Sequence, residues 1–298
     1  MSSNKKWTEF ILTQLIRLSG YSAIIFVVMI FFFLLREGLP TLGQVSVGNL
    51  IALRWYPIEN YFGLLPLISG SLIVTLGAAI FSIPIGLCTA VFIAEIAPRW
   101  ARDILKPLVE VLGGIPSVVL GFLGILILAP YLRRLLDLPT GLTALAGSIL
   151  LGGIAIPTIV SVSEDALDSV PRAYRDAALA LGATEWQTIW KVTLPAARSG
   201  VLTAIMLGIG RTIGETIAVM MVTGNAPVLP TKWNSFFAPV RTMTATIAAE
   251  MGEVAKNSTH YHVLFFIGLV LFLISLGINI AASSTVFQQR KRAERILS

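Results

Sequence analysis

Charge is scarce in this chain of 298 residues. Asp, Glu, Lys and Arg make up 13% of it, about half of the roughly 25% usual in soluble domains. So little solvating surface excludes a disordered chain and a solvated nucleic-acid binder. Cysteine is nearly missing: Cys88 alone can form neither an internal disulfide nor a thiolate metal site. The two histidines, His260 and His262, lack a third ligand, so no metal centre is expected. Phosphate-binding signatures are missing too. There is no G-x-x-x-x-G-K-[ST] loop, and no Gly is followed by Lys. The run "GIGRTIG" at 208–214 has the wrong last spacing for G-x-G-x-x-G and follows no strand. No Ser/His/Asp or Cys/His arrangement stands out, so the chain is not expected to be an enzyme.

What is present is apolar: 55% hydrophobic residues and a mean hydropathy of +0.82. Charge-free intervals at 18–35, 60–94, 111–132, 138–163 and 257–289 each reach the roughly 20 residues that a spanning helix needs. A sixth segment, 199–222, is interrupted by Arg211 and Glu215 alone. The pattern predicts an all-α polytopic protein with six spans, near 18–36, 67–94, 110–130, 141–162, 199–222 and 262–286. Pro84, Pro116 and Pro157 fall inside these spans and predict kinks.

The net charge of +6 is topological. An even number of spans puts both termini on one side. Fourteen Lys/Arg fall there: Lys5, Lys6, Arg17, Arg99, Arg102, Lys106, Arg172, Arg175, Lys191, Arg198, Arg290, Lys291, Arg292 and Arg295. Seven fall opposite: Arg36, Arg54, Arg133, Arg134, Lys232, Arg241 and Lys256. The bias predicts cytoplasmic termini. Glu95 and Glu110 bracket a basic cytoplasmic loop and are expected to be solvated. The tail 288–298 is expected to rest against anionic membrane lipid. The last outer loop, 223–260, carries Pro227, Pro230, Pro239 and a helical stretch, either a docking surface or a lid.

The cytoplasmic segment 163–198 predicts two short helices. Pro171 suits a first helical turn with Asp168 or Ser169 as caps. Gly182 suits a left-handed helix end. Thr184 with Gln187 fits a capping box, and Pro195 helps to end the second helix. A linker lying on the membrane has the same composition. The stretch "DAALALGATEWQTIWKVTLP" further resembles the EAA loop of ATP-binding-cassette (ABC) importer permeases, through Asp176, Ala177, Ala178, Gly182, Ile189, Leu194 and Pro195. Asp176 stands where Glu is usual. The resemblance covers about 67–287 and implies a type I (MetI-like) importer permease fold. It also implies that this helix pair fits a cleft on a separate ATPase subunit and transmits its motion. On this reading the chain divides into 1–66 (first span and outer loop), 67–287 (permease domain) and the 288–298 tail.

Arg211 and Glu215 are four apart, which on a continuous helix places them one turn from each other on one face. An arginine about 18 Å along a spanning helix costs several kcal/mol. Either an ion pair stapling helices or an anion site in a transport pathway explains its presence. Gly208, Gly210 and Gly214 would allow close helix approach. A guanidinium offers a planar fork suited to a tetrahedral oxyanion. A nearby carboxylate favours one that still carries a proton, as phosphate does and sulfate does not. Ser117 and Thr158, beside the kinks, add possible pathway hydroxyls, although such groups commonly bond their own helix.

The stretches "GGIPSVVLGFLG" (113–124), "GRTIGETIAVMMVTGN" (210–225) and "TATIAAEMGEVA" (244–255) resemble phosphate-specific importer permeases, of the PstC rather than the PstA type. In that family the Arg and Glu of the second stretch, here Arg211 and Glu215, are implicated in phosphate passage. The resemblance implies a complex with a PstA-type sister permease, a PstB-type ATPase dimer holding ATP-Mg, and a PstS-type extracytoplasmic phosphate-binding protein. This chain would hold no cofactor itself and would sit in a prokaryotic cytoplasmic membrane. A sulfate or molybdate permease, a gradient-driven transporter and a non-transporting scaffold are the alternatives.

Overall fold

The computed structural model describes residues 3–229 and 233–297. Pro230, Lys232 and the side chains of Lys5, Lys6 and the 288–298 tail, which enter the sequence expectations, lie outside the described residues. The chain opens with α1 (Ser3–Gly38), whose most apolar stretch is entirely unburied by the protein itself and which packs along the last helix. A cap of short elements follows: α2 (Thr41–Gln44), α3 (Val47–Leu50) and a small antiparallel ribbon, β1 (Trp55–Tyr56) and β2 (Tyr61–Phe62), with Trp55 opposite Phe62. Trp55, Phe62, Leu50 and Leu64 share one core with Val263, Leu264 and Ile267 of the last helix. Burying this aromatic pair caps one end of the bundle.

The centre consists of α4 (Leu65–Val91), α8 (Ala144–Asp168) and α12 (Arg198–Gly214). Their approach is set by small residues. A Cβ at Gly86 of α4 would lie 2.8 Å from Ile159 Cγ2, and one at Gly208 of α12 would lie 2.5 Å from Ile159 Cγ1. Ile159 of α8 is fully buried between these two glycines. Apolar side chains gain nothing by leaving lipid for one another, so such close packing is what holds membrane helices together. Gly210 and Gly214, in contrast, meet no neighbour within 4 Å.

The third predicted span is divided. An amphipathic helix, α5 (Arg99–Gly113), ends before a break at Gly114–Pro116. A second helical stretch then runs as α6 (Ser117–Leu123), a wide turn at Gly124–Leu128, and α7 (Ala129–Leu135). Pro116 therefore starts a helix rather than kinking one, as its missing N–H and fixed φ favour. Pro84 and Pro157 do lie inside α4 and α8.

The segment after α8 forms α9 (Arg172–Ala180), α10 (Glu185–Thr188), a wide turn at Ile189–Thr193 and α11 (Leu194–Ala196), which meets α12 at a 71° bend. The fifth predicted span is also broken. α12 stops at Gly214, and the short α13 (Ile217–Val222) follows. α14 (Met243–Glu250) lies in the loop that follows, and α15 (Thr259–Leu297) is the last helix described. Among the described residues, five helices are long and apolar enough to cross a membrane, and six if α12 is counted with its bent neighbour.

Candidate functional site: a broken span beside an arginine

The arrangement starts at two helix breaks. Gly113 ends α5 and leaves its carbonyl without a partner further along the helix. Arg211 supplies one: its guanidinium donates to Gly113 O at 3.2 Å and to Thr158 Oγ1 at 3.2 Å. One side chain of α12 thus ties the end of α5 to the middle of α8. Two of the five guanidinium N–H groups are used in this way. Arg211 is exposed and makes no ion pair among the described residues. A charge-bearing fork is therefore held in place with donors to spare. Thr158 bonds Arg211 rather than its own helix. Ser117 opens α6 on the far side of the Gly114–Pro116 break and is half-buried, four residues on from Gly113 by chain order.

Glu215 overturns the sequence expectation. It does not stand one helical turn above Arg211, because the helix ends at Gly214 and Glu215 adopts extended backbone at φ −69°, ψ 128°. Its carboxylate turns to the next helix, accepting from Thr216 N–H at 3.1 Å and Ala218 N–H at 3.4 Å. A carboxylate is favoured at the unsatisfied N–H groups of a helix start. Glycine at 214 and β-branched Thr216 weaken the helix here, and the alternative partners for Glu215 complete the break.

A second set of charges lies at the ends of α4, α5 and α8. Glu164 is 1% exposed, yet it pairs with Arg102 at 2.6 Å and with Lys106 at 2.6 Å. Lys106 also reaches Asp165 at 3.1 Å, and Arg102 also bonds Asp168. The Glu164 carboxylate, helped by Asp165, holds the Lys106 ammonium above the ordinary lysine range against the opposing effect of burial. These pairs explain why α8 continues to Asp168 instead of ending near residue 162. They also leave Asp168 on Arg102 instead of capping α9. The spacing carried the signal: Arg102 and Lys106, like Glu164 and Asp168, are four apart and face one another across α5 and α8.

Glu95, expected to be solvated, is instead half-buried: its side chain is 8% exposed and meets Arg175 at 2.5 Å. Arg175 also donates to the carbonyls of Val170 and Leu167 at 2.8 and 3.0 Å. One arginine of α9 is therefore clamped to the ends of both α4 and α8. Glu110 is exposed, as expected.

Within the helix pair, Gly182 has φ +83°, and the Thr184–Gln187 capping box is formed. Ala178 and Ile189 are buried and Leu194 is half-buried. Asp176, Ala177, Gly182 and Pro195 are exposed. Ile189 and Leu194 pack with Ala90, Ile93, Leu167 and Val201, joining the segment to the bundle core. Leu181 at the tip is 89% exposed, and Trp186 and Trp190 stack edge-to-face nearby. One apolar face grips the bundle, and the other is unpartnered.

At the opposite end of the bundle, Glu250 of α14 receives Arg241 at 2.7 Å, His260 at 2.8 Å and the Trp55 indole at 3.2 Å. Burial alone would push the Glu250 carboxyl up. The His260 and Trp55 hydrogen bonds and the Arg241 charge outweigh it, holding the group below the ordinary glutamate range. These residues border a cleft of about 590 Å³. His262 donates from Nδ1 to the Glu37 carbonyl at 2.8 Å, so the two histidines serve different contacts. No group of three or more metal-ligating side chains gathers among the described residues.

The sequence model "Binding-protein-dependent transport system inner membrane component" matches residues 82–293. The chain belongs to this family of importer permeases. Over 235 residues it is 42% identical to "Probable ABC transporter permease protein YqgH" of Bacillus subtilis, covering 78% of this chain and 75% of that one. Over 268 residues it is 32% identical to "Phosphate transport system permease protein PstC" of Xylella fastidiosa, covering 84% and 81%. Its fold is similar to that of the inward-facing MetNI methionine ABC transporter, with a TM-score of 0.60 and 22% identity, covering 79% of this chain and 99% of that one. The MetI-like permease fold expected from the EAA resemblance is therefore the observed one. As a permease of this family, the chain is a multi-pass membrane subunit of an ABC importer, a class that works with an ATPase and a binding protein.

Proposed function

We propose that this permease conducts inorganic phosphate inward by alternating access, in a prokaryotic inner membrane with both termini cytoplasmic. The observation that carries the reading is the Arg211 fork, fixed by Thr158 and Gly113 O with donors left over, beside a helix break that holds an acid away from it. An arginine fork matches a phosphate oxygen pair, and Glu215 is an acceptor for the proton that phosphate carries and sulfate lacks. Relatives named PstC support the substrate. Arg211, Glu215, Ser117 and Thr158 form the pathway on this reading, and residues 163–198 form the coupling segment.

ATP-Mg belongs to a PstB-type ATPase pair, since this chain carries no phosphate-binding loop. A PstA-type sister permease completes the pathway, and a PstS-type protein delivers phosphate from outside. The chain itself catalyses no reaction. The test is radiolabelled phosphate uptake by the reconstituted complex under sulfate competition. Wild type should take up phosphate undiminished by excess sulfate, and Arg211→Ala should not take it up. Uptake by Arg211→Ala at the wild-type rate would refute the pathway role.

A further inference from the structure

The break in the fifth span is held from outside the span. Thr244 of α14 donates its hydroxyl to the backbone carbonyl of Glu215 at 3.1 Å, the group a continuous helix would use for its own next turn. Thr244 has one hydroxyl proton, so in its 3.2 Å contact with Thr242 it must be the acceptor. Thr242 in turn accepts from Ala245 N–H at 3.2 Å as the N-cap of α14. The result is a directed chain: Ala245 N–H to Thr242, Thr242 to Thr244, Thr244 to Glu215 C=O. Both threonines are buried, at 4% and 8% exposure, so the hydroxyls have no water to fall back on.

The chain is anchored. Met243 N–H donates to Ser71 Oγ of α4 at 2.9 Å. A Cβ at neighbouring Gly70 would lie 2.2 Å from Arg241 O, so the α14 entry sits directly on α4. Thr246 closes on the Thr242 carbonyl at 2.8 Å. α14 is therefore a fixed support, and what it supports is one carbonyl at a weak point of α12.

Two arrangements of this sequence satisfy its polar groups. In the observed one, α14 takes the Glu215 carbonyl and the N–H groups of Thr216 and Ala218 take its carboxylate, leaving Arg211 free of any acid. In a continuous helix the backbone bonds to itself, and Glu215 comes one turn from Arg211, with about 5–6 Å between their Cβ atoms. An anion has the Arg211 fork to itself in the first state and must share it with the Glu215 carboxylate in the second. We propose that Thr244, backed by Thr242, is a positioning residue that latches span five in its broken, anion-receptive form. Release of the latch lets Glu215 displace the anion. The anion's identity rests on the reading above; the latch does not.

The test uses the whole importer complex in nanodiscs with Cys88→Ser and spin labels at Thr203→Cys and Ile217→Cys, either side of the break. Thr244→Val keeps the shape and removes the hydroxyl, and Thr244→Ser keeps the hydroxyl. Thr244→Val should shift the distance distribution toward the rise of about 21 Å expected of a straight helix. Its population should change about fivefold, the worth of one neutral hydrogen bond. Thr244→Ser should restore the wild-type distribution, and Thr242→Val should shift it in the same direction by less. Should Thr244→Val not assemble, Thr242→Val and Thr244→Ser decide alone. Identical distributions in wild type and the assembled Val variants would overturn the latch. The distances need no phosphate, so a complex that carries a different anion would count against the proposed substrate alone.

Discussion

At the residue scale the decisive atoms are few. Arg211 bridges two helix elements with neutral partners, so its charge is not spent on an internal acid. Arg211→Lys keeps the charge and loses the fork. It should lower phosphate uptake at least about tenfold, the loss of one charge-assisted bond, with little change in the thermal midpoint of the purified complex. Glu164 behaves in the opposite way. It is 1% exposed and lies between two cations, so Glu164→Ala should destabilise by about 3 kcal/mol, seen as a lower unfolding midpoint in detergent. Uptake per folded molecule should be unaffected. A thermal midpoint equal to wild type would show that Asp165 and Asp168 suffice for Arg102 and Lys106.

Elements follow from local chemistry wherever a single residue type has a strong backbone preference. Gly182 at φ +83° with open space around it is a pure conformational requirement. Gly182→Ala should cost about 1–2 kcal/mol locally and loosen the helix pair. The expected readout is reduced stimulation of ATP hydrolysis by substrate, while basal hydrolysis persists. At Gly208 the requirement is space, with Ile159 2.5 Å from an added Cβ. Gly208→Val should therefore separate α12 from α8 and abolish assembly, measured as loss of the complex on size-exclusion chromatography. Arg175 joins α9 to the ends of α4 and α8. On the proposed coupling role of residues 163–198, Arg175→Gln should lower uptake per ATP hydrolysed, because it removes the contacts that tie α9 to those two spans.

At the scale of the whole molecule, stability against pH reflects two clusters at opposite ends of the bundle. Glu250 is held below its ordinary range. Its contribution is thus present above the unfolded value near 4.3 and is lost as pH falls through the lower folded value. Lys106 is held above its range. Its contribution is present below the unfolded value near 10.4 and is lost as pH rises through the higher folded value. The unfolding midpoint of the complex should be flat between these limits with respect to both groups. Glu250→Gln should flatten the acid fall, and Lys106→Met the alkaline one. The amino-acid sequence by itself determined the apolar segments, the capping box at Thr184, the glycine turn at 182 and the EAA pattern, because each depends on hydropathy or on neighbours within a turn. The pairing of Glu95, the burial of Glu164, the bonds of Arg211 to Thr158 and Gly113, and the break before Glu215 were decided only by tertiary structure. In each of these cases the partner lies far along the chain: Arg175, Arg102 and Lys106, α5 and α8, and Thr244. A helix pattern read locally continues through Glu215. What stops it is a hydroxyl on another element, bonding the carbonyl that the helix would have used.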